Sequence, residues 1–254
     1  DKILWIVCAT GGPVAYILII PQYRKILATL LGAPRYWLGV IAQFFYVGVQ
    51  IAAWTWMNAY CQQEFAFMGM TKGTAAGYYL CAIIAFVSCR WVTTALMKKF
   101  NPASMMALFA LCAIVCCGGV MWLPTKVLFT AFSLPFSANI LCLIAMSSFM
   151  SLMFPTIYGI ALGGLDMRAV KLGAAGLIMA ILGGAIITPW MASAMGDPNA
   201  FWTKLVPCAS TVWNTDLKIS SATIRASFAI PAICFAVVLA YALAFRARPA
   251  KQSD

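Results

Sequence analysis

Long apolar runs separated by short polar connections restrict the fold of this chain more than any other feature of its sequence. Seven such runs occur, at residues 3–20, 37–60, 74–96, 103–123, 137–162, 172–195 and 226–246. A helix needs about 20 predominantly apolar residues to cross the hydrocarbon core of a bilayer. Because lipid offers no hydrogen bonds to the backbone, each run is predicted to be a transmembrane helix rather than a strand. The sequence therefore predicts an all-α integral membrane protein.

The amino-acid composition excludes a soluble globular domain. Of the 254 residues, 64% are hydrophobic and only 9% are charged, whereas soluble domains carry about 25% charged residues. The net charge of +11 would suggest nucleic-acid binding in a soluble protein. Here, however, the Lys and Arg residues lie mostly in connections between apolar runs, where membrane proteins accumulate them. We therefore expect a lipid bilayer as partner and no nucleic acid.

The distribution of the basic residues predicts the orientation of the helices. One set of connections contains ten of them, Arg24, Lys25, Arg35, Lys98, Lys99, Arg168, Lys171, Arg246, Arg248 and Lys251. The opposite set contains six, Lys2, Lys72, Lys126, Lys204, Lys218 and Arg225. Since cytoplasmic connections are enriched in Lys and Arg, the richer set is predicted to face the cytoplasm. The C-terminus would lie on the same side.

The chain offers few groups for catalysis or metal binding. Histidine is absent, which excludes histidine-based catalysis and histidine metal ligands. Most of the ten cysteines lie inside apolar runs without metal-ligand spacing, where cysteine behaves as a small hydrophobic residue. No acidic residue lies in the interior of a predicted span. We therefore expect no enzyme activity, no metal and no cofactor.

A stripe of polar side chains follows one face of the second predicted span. Gln43, Gln50, Trp54 and Asn58 recur at spacings of seven, four and four residues, which places them on one side of a helix. A polar group near the middle of the membrane is costly unless it faces protein or water. A single carboxamide can make an interhelical hydrogen bond, whereas the whole stripe favours a polar cavity that suits a neutral polyol.

The fifth predicted span has polar, aromatic and proline residues on one broad face. They are Ser147, Ser151, Phe154, Pro155 and Tyr158. Pro155 removes a backbone donor and frees the carbonyl group one turn earlier. Freed backbone groups are tolerated at membrane depth where they line a cavity or are buried in protein. The alternative is a simple kink that Ser151 satisfies.

Two smaller sets of residues suggest packing and gating. Glycine permits close helix approach, proline bends a helix, and long basic side chains at a span end either snorkel to the membrane surface or make gating contacts. The candidates are Gly183, Gly184 and Pro189 for packing or bending in the sixth span, and Arg90, Lys98 and Lys99 for topology or gating at the end of the third.

Several stretches resemble one known family. AQFFYVGVQIAAWTW (42–56), SSFMSLMFPTIYGIALGGL (147–165) and GLIMAILGGAIITPWM (176–191) are similar to the seventh, tenth and eleventh helices of the fucose–proton symporter family of the major facilitator superfamily. CRWVTTALMKKF (89–100) resembles the end of the eighth helix, with Cys89 in place of the usual glycine. The matching order and spacing identify a resemblance to the C-terminal half of such a carrier.

The resemblance implies a domain division and a function. Residues 1–36 would be the last helix of an N-terminal half and a cytoplasmic inter-half loop. Residues 37–254 would be a major facilitator-type six-helix bundle with a long extracytoplasmic loop at 196–225. The carrier would move a fucose-, glucose- or galactose-like monosaccharide across the inner membrane by proton symport, through alternating access. Its N-terminal six-helix half would carry the family's proton-binding carboxylates.

The resemblance also implies roles for individual residues. Gln50, Trp54, Phe154 and Tyr158 would face the central sugar cavity, and Asn58 belongs to the same stripe. Phe154 stands where tyrosine is familiar, which leaves the identity of the sugar open. A seven-helix membrane receptor or sensor is the alternative, because the number of spans fits it. The carrier is favoured, since the last span, 226–246, has no Lys for a retinal Schiff base.

Overall fold

The structure of the protein, a computed structural model, describes residues 26–30, 32–197, 213–214 and 219–246. The predicted span at 3–20 and most of the predicted loop at 196–225 lie outside the described residues. Within the described residues, six helical segments are long and apolar enough to cross a membrane. They correspond to the six spans predicted between residues 37 and 246, so the all-α membrane fold is confirmed.

The six segments comprise nine helices, because the last three segments are each interrupted. The helices are α1 Pro34–Glu64, α2 Lys72–Leu96, α3 Pro102–Trp122, α4 Ala138–Met150, α5 Met153–Leu162, α6 Met167–Met179, α7 Leu182–Gly196, α8 Ser221–Ala226 and α9 Ala229–Arg246. The strands are β1 Val127–Ala131, β2 Leu134–Ser137, β3 Trp213–Asn214 and β4 Ile219–Ser220. A short helical stretch at 26–30 precedes α1, and a 3-10 turn, Ala66–Met68, follows it.

Local sequence signals account for the beginnings of several helices. Pro34 and Pro102 occupy the first turns of α1 and α3, where the missing proline N–H would have no helical partner in any case. The side chains of Thr71 and Asn101 accept hydrogen bonds from backbone N–H groups in the first turns of α2 and α3, at 3.2 and 3.0 Å. These side chains satisfy donors that a helix leaves unpaired at its start.

The interruptions are gentle, so each pair of helices still spans as one segment. Ser151, between α4 and α5, and Ile181, between α6 and α7, keep helical dihedral angles. Pro155 follows the first interruption closely, as expected for a residue that cannot donate within a helix. Pro189, by contrast, lies inside α7, which continues past it to Gly196. The interruption of this segment lies at residues 180–181, before the predicted bend.

A β-hairpin connects α3 to α4, in a stretch for which the sequence predicts no element. β1 and β2 pair antiparallel around a two-residue turn. The turn residues Phe132 and Ser133 have φ angles of 52° and 61°, which match the twist of a tight hairpin but are uncommon for a side chain as large as Phe. Leu134 packs against α2, where a Cβ atom at Gly77 would lie 2.9 Å from Leu134 Cδ1.

α1 lies at the centre of the bundle and α2 at its edge. α1 contacts α2, α5, α7 and α9, and the residues of its inner face, such as Tyr46 and Met57, are fully buried. α2 buries little beyond Ala75, Tyr78 and Ala82. The outer face of α2 is apolar and exposed, and is therefore available to lipid or to another protein segment.

Glycine allows α1 and α7 to approach closely. A Cβ atom at Gly48 would lie 2.4 Å from Cγ1 of Ile187, and one at Gly183 would lie 2.0 Å from the carbonyl oxygen of Phe44. At Gly184, a Cβ atom would lie 2.3 Å from an α1 side chain. No larger side chain fits at these positions without displacing a neighbour. The close approach of the helices is therefore a reason for glycine at positions 183 and 184.

Gly183→Ala should destabilise the protein, because its new methyl group would overlap the backbone of α1. We expect the free energy of unfolding to fall by about 1–3 kcal/mol, measured as a lower midpoint of thermal unfolding in detergent. Gly159→Ala is the matched control, since no atom lies within 4 Å of a Cβ placed there. A Gly183→Ala midpoint as high as that of the control would contradict the close α1–α7 packing.

Candidate functional site

The polar stripe predicted on the second span lies on α1, but its members occupy different surroundings. Gln50, Trp54 and Asn58 are half-buried, whereas Gln43 is fully buried. Neither amide atom of Gln43 has a hydrogen-bond partner among the described residues. Gln50 lies close to the midpoint of the 31-residue α1. Gln50, Trp54 and Asn58 therefore stay candidates for a cavity wall, and Gln43 belongs to the interior of the bundle.

Trp54 is held in place by two neighbouring helices. Its indole N–H donates to Oγ of Ser147 on α4, at 3.3 Å. Its ring meets those of Phe86 and Tyr79 on α2 edge to face, with centroids 5.2 and 6.2 Å apart. Such aromatic contacts fix a ring more firmly than area burial alone. The orientation of Trp54 is thus set before any ligand arrives.

Phe154 and Tyr158 form a second aromatic surface, on α5. Their rings stack with centroids 6.3 Å apart and planes 14° from parallel. Phe154 also contacts Tyr46 of α1 at 6.4 Å, and the Tyr46 hydroxyl donates to the carbonyl of Met150 at 2.9 Å. Both Phe154 and Tyr158 are half-buried. The aromatic residues predicted on this span are therefore adjacent to α1 and to each other.

Arg90 contacts the interruption that Pro155 imposes. Pro155 has no N–H, so the carbonyl of Ser151, four residues earlier, lacks its usual helical partner. Nη1 of Arg90 donates to that carbonyl at 3.3 Å, while the Ser151 hydroxyl is buried and makes no hydrogen bond in the part of the chain described. The freed carbonyl is thus satisfied by an arginine of α2, and the alternative of a kink satisfied by the Ser151 side chain does not apply.

Lys98 and Lys99 do not join this contact. Both side chains are exposed in the turn after α2 ends. They lie eight and nine residues beyond Arg90 along the chain. Only Arg90, of the three basic residues predicted for gating, touches another span through a contact observed among the described residues.

A buried ion pair is the polar feature that the sequence analysis missed. Glu64, the last residue of α1, pairs with Arg225 of α8, and their side chains are 1% and 3% exposed. The sequence places both residues at span ends or in connections, where charges are normally solvated. The two residues are 161 positions apart, so no local pattern links them. The only available signal was a lone acid at the end of an apolar span.

No metal centre accompanies these groups. Across residues 26–30, 32–197, 213–214 and 219–246, no three His, Cys, Asp or Glu side chains are grouped so that they could hold a metal ion. The eight cysteines of the described spans are free thiols, and all of them are buried or half-buried. The groups available for ligand contacts on α1 and α5 are carboxamides and aromatic rings.

The arrangement of the bundle defines the class of protein. Six membrane-crossing segments, with α1 at their centre, form the C-terminal half of a major facilitator superfamily fold. The chain is accordingly a multi-pass membrane protein. No model of a protein family matches it.

Two curated proteins are similar to the chain, and both are L-fucose-proton symporters. The one from Haemophilus influenzae is 35% identical over 220 residues, which cover 87% of this chain and 44% of the relative. The one from Escherichia coli is 31% identical over 212 residues, which cover 82% of this chain and 39% of the relative. The chain thus spans less than half the length of these relatives and matches their C-terminal part.

Solved structures give the same result. A crystal structure of the Escherichia coli fucose:proton symporter has a TM-score of 0.65 at 29% identity, covering 88% of this chain and 45% of that one. A crystal structure of a major facilitator superfamily transporter in the outward conformation has a TM-score of 0.63 at 28% identity, with the same coverage. The resemblance to the C-terminal half of the fucose–proton symporter family is confirmed. These relatives are transporters rather than enzymes or receptors.

Removing the Arg90 guanidinium should leave the Ser151 carbonyl unpaired. We expect Arg90→Met to lower the free energy of unfolding by about 1–2 kcal/mol, measured by thermal unfolding, and Arg168→Met, which removes an exposed arginine, to have little effect. In a Pro155→Ala background the carbonyl regains a helical N–H, so the effect of Arg90→Met should shrink. Equal losses in the two backgrounds would contradict the link between Arg90 and Pro155.

Proposed function

We propose that this chain forms the C-terminal half of a proton-coupled monosaccharide carrier that works by alternating access. The observation that carries this proposal is its similarity to two L-fucose-proton symporters over more than four fifths of its length. In this proposal, residues 37–254 are the C-terminal bundle, and residues 1–36 are the last helix of the N-terminal half and the loop between halves. The partner that completes the sugar pathway is an N-terminal six-helix half.

The sugar is proposed to bind between α1 and α5. Gln50 and Asn58 offer carboxamides that both donate to and accept from hydroxyl groups. The indole of Trp54 and the stacked rings of Phe154 and Tyr158 offer apolar faces for the C–H face of a sugar ring. The half-buried state of all five residues supports this assignment, because a binding surface must be partly enclosed by protein and still reachable. Oδ1 of Asn58 is buried and has no hydrogen-bond partner among the described residues, so Asn58 would offer its amide nitrogen. Fucose-, glucose- and galactose-like sugars fit this chemistry.

The coupling proton is proposed to bind in the N-terminal half. Transport of a neutral sugar driven by protons needs a titratable group that is reached from both sides of the membrane in turn. The one acid buried among the described residues, Glu64, is engaged by Arg225. This half would therefore provide sugar contacts, with Arg90 supporting the bend in the sugar-facing segment, while the other half would provide the proton site.

Gln50→Ala and Trp54→Ala should weaken sugar binding by the complete carrier. Each substitution removes a partner of the sugar, at a cost of about 1–3 kcal/mol, or roughly ten- to a hundredfold in affinity. Titration calorimetry with L-fucose, D-galactose and D-glucose measures the effect. Trp37→Ala is the matched control, because Trp37 lies near the start of α1 and is 40% exposed. Unchanged affinity in both variants would remove Gln50 and Trp54 from the site.

The C-terminus is proposed to lie in the cytoplasm of a cell whose inner membrane contains the carrier. In a cysteine-free background, Asn101→Cys should be protected from an impermeant thiol reagent applied from outside, whereas Lys126→Cys should react. Both positions are exposed in the structure, so burial does not limit either reaction. Labelling of position 101 but not of position 126 would invert the topology.

A further inference from the structure

The proposed function assigns no role to the buried ion pair between Glu64 and Arg225, although five hydrogen bonds reach the Glu64 carboxylate. Moving two charges out of water costs several kcal/mol for each ion, and their attraction offsets this only when the remaining donors and acceptors are also satisfied. The surroundings of this pair meet that requirement.

Five hydrogen bonds converge on the Glu64 carboxylate. The carboxylate accepts hydrogen bonds from Arg225 Nε at 2.8 Å and from Arg225 Nη2, from the Ser221 hydroxyl at 2.5 Å, from the Thr125 hydroxyl, and from Asn139 Nδ2 at 3.2 Å. These donors come from α4, α8 and the connection after α3. Glu64 therefore links three other parts of the bundle to the end of α1.

Further hydrogen bonds continue the link from α1 to α4 and α3. Asn139, at the start of α4, also donates to the Tyr60 hydroxyl at 3.0 Å, and that hydroxyl donates to the carbonyl of Val120 on α3 at 3.0 Å. Arg225 Nη1 donates to the carbonyl of Leu123 at 2.9 Å. The next polar contact between α1 and α4 is the hydrogen bond from Trp54 to Ser147.

This order of contacts connects the ion pair to the proposed sugar site. Trp54 lies ten residues before Glu64 on α1, or about 15 Å along a helix. Ser147 lies eight residues after Asn139 on α4, or about 12 Å. A shift of α1 along α4 would disturb the hydrogen bonds from Asn139 to Tyr60 and Glu64. It would also move the Trp54 indole relative to Ser147.

We infer that Glu64 and Arg225 are positioning residues that set the register between α1 and α4 and, through it, the placement of Trp54 in the sugar site. This inference rests on the proposed function. Buried polar pairs often add little stability compared with apolar residues of the same size, but their directional bonds can select one register among several. Replacing the pair with apolar residues should therefore separate stability from positioning.

Four variants of the complete carrier test the inference. Glu64→Gln and Arg225→Met each leave one buried group without its partner. The double variant Glu64→Met with Arg225→Met removes both charges and keeps similar volume. Asp166→Asn is the matched control for the loss of an acid, because Asp166 is exposed. Thermal unfolding, sugar affinity by calorimetry, and hydrogen–deuterium exchange of residues 54–64 and 138–147 are measured, with residues 167–179 as the internal reference.

The single variants should lower the unfolding midpoint by on the order of 10 °C. They should also speed exchange in both segments about tenfold and weaken sugar binding about tenfold, without faster exchange in 167–179. In the double variant the midpoint should rise above that of either single variant, because no unpaired buried charge remains, while fast exchange and weak binding persist. Only a positioning role predicts this separation.

If the double variant regains slow exchange and wild-type sugar affinity along with its stability, the inference is overturned. The pair would then have a structural role alone. If Trp54→Ala binds sugar as the wild type does, the proposed sugar site fails. Exchange in residues 54–64 and 138–147 then still decides the register inference, because it does not depend on sugar.

Discussion

Hydrocarbon cannot hydrogen-bond to a polar group, and this constraint governs the bundle at every scale. Within a single helix the backbone satisfies itself, which is why the chain crosses the membrane as helices. Where a helix is interrupted, another helix must supply the missing partner, as Arg90 does for the Ser151 carbonyl. Buried tyrosine hydroxyls follow the same principle, since Tyr46 and Tyr60 both donate to backbone carbonyls of other helices. In this bundle, the hydrogen bonds that satisfy these buried polar groups are therefore also contacts between helices.

Close packing between helices provides a second set of stabilising interactions. Without a hydrophobic driving force between helices in lipid, contact area and short approach distances hold membrane helices together. Gly48 and Gly183 bring α1 and α7 to a distance that excludes any larger side chain. α1 is thereby fixed on one side by packing against α7 and, at its end, by the Glu64 network. A helix held in this way can present Gln50, Trp54 and Asn58 in a reproducible orientation.

The candidate site joins these structural features to function. Trp54 is held by α2 and α4, and Phe154 and Tyr158 stack beside α1 on a segment interrupted near Pro155. Similarity to L-fucose-proton symporters over their C-terminal part is the basis on which we propose a sugar as the ligand of these residues. In the proposed carrier, the exposed apolar face of α2 would face either lipid or the second half. In the proposed carrier, this half contains sugar contacts and the other half contains the proton site.

The sequence by itself determined the six described spans, the membrane class and the family resemblance, because length, hydropathy and local motifs are properties of contiguous residues. It also indicated the freed carbonyl near Pro155, because the lack of a backbone N–H is a property of proline itself. Only the tertiary structure decided that Arg90 satisfies this carbonyl, that Gln43 is buried while Gln50 is half-exposed, and that a hairpin joins α3 to α4. Glu64 and Arg225 illustrate the reason. Their pairing depends on where α1 and α8 meet in space, and residues 161 positions apart carry no local trace of that meeting.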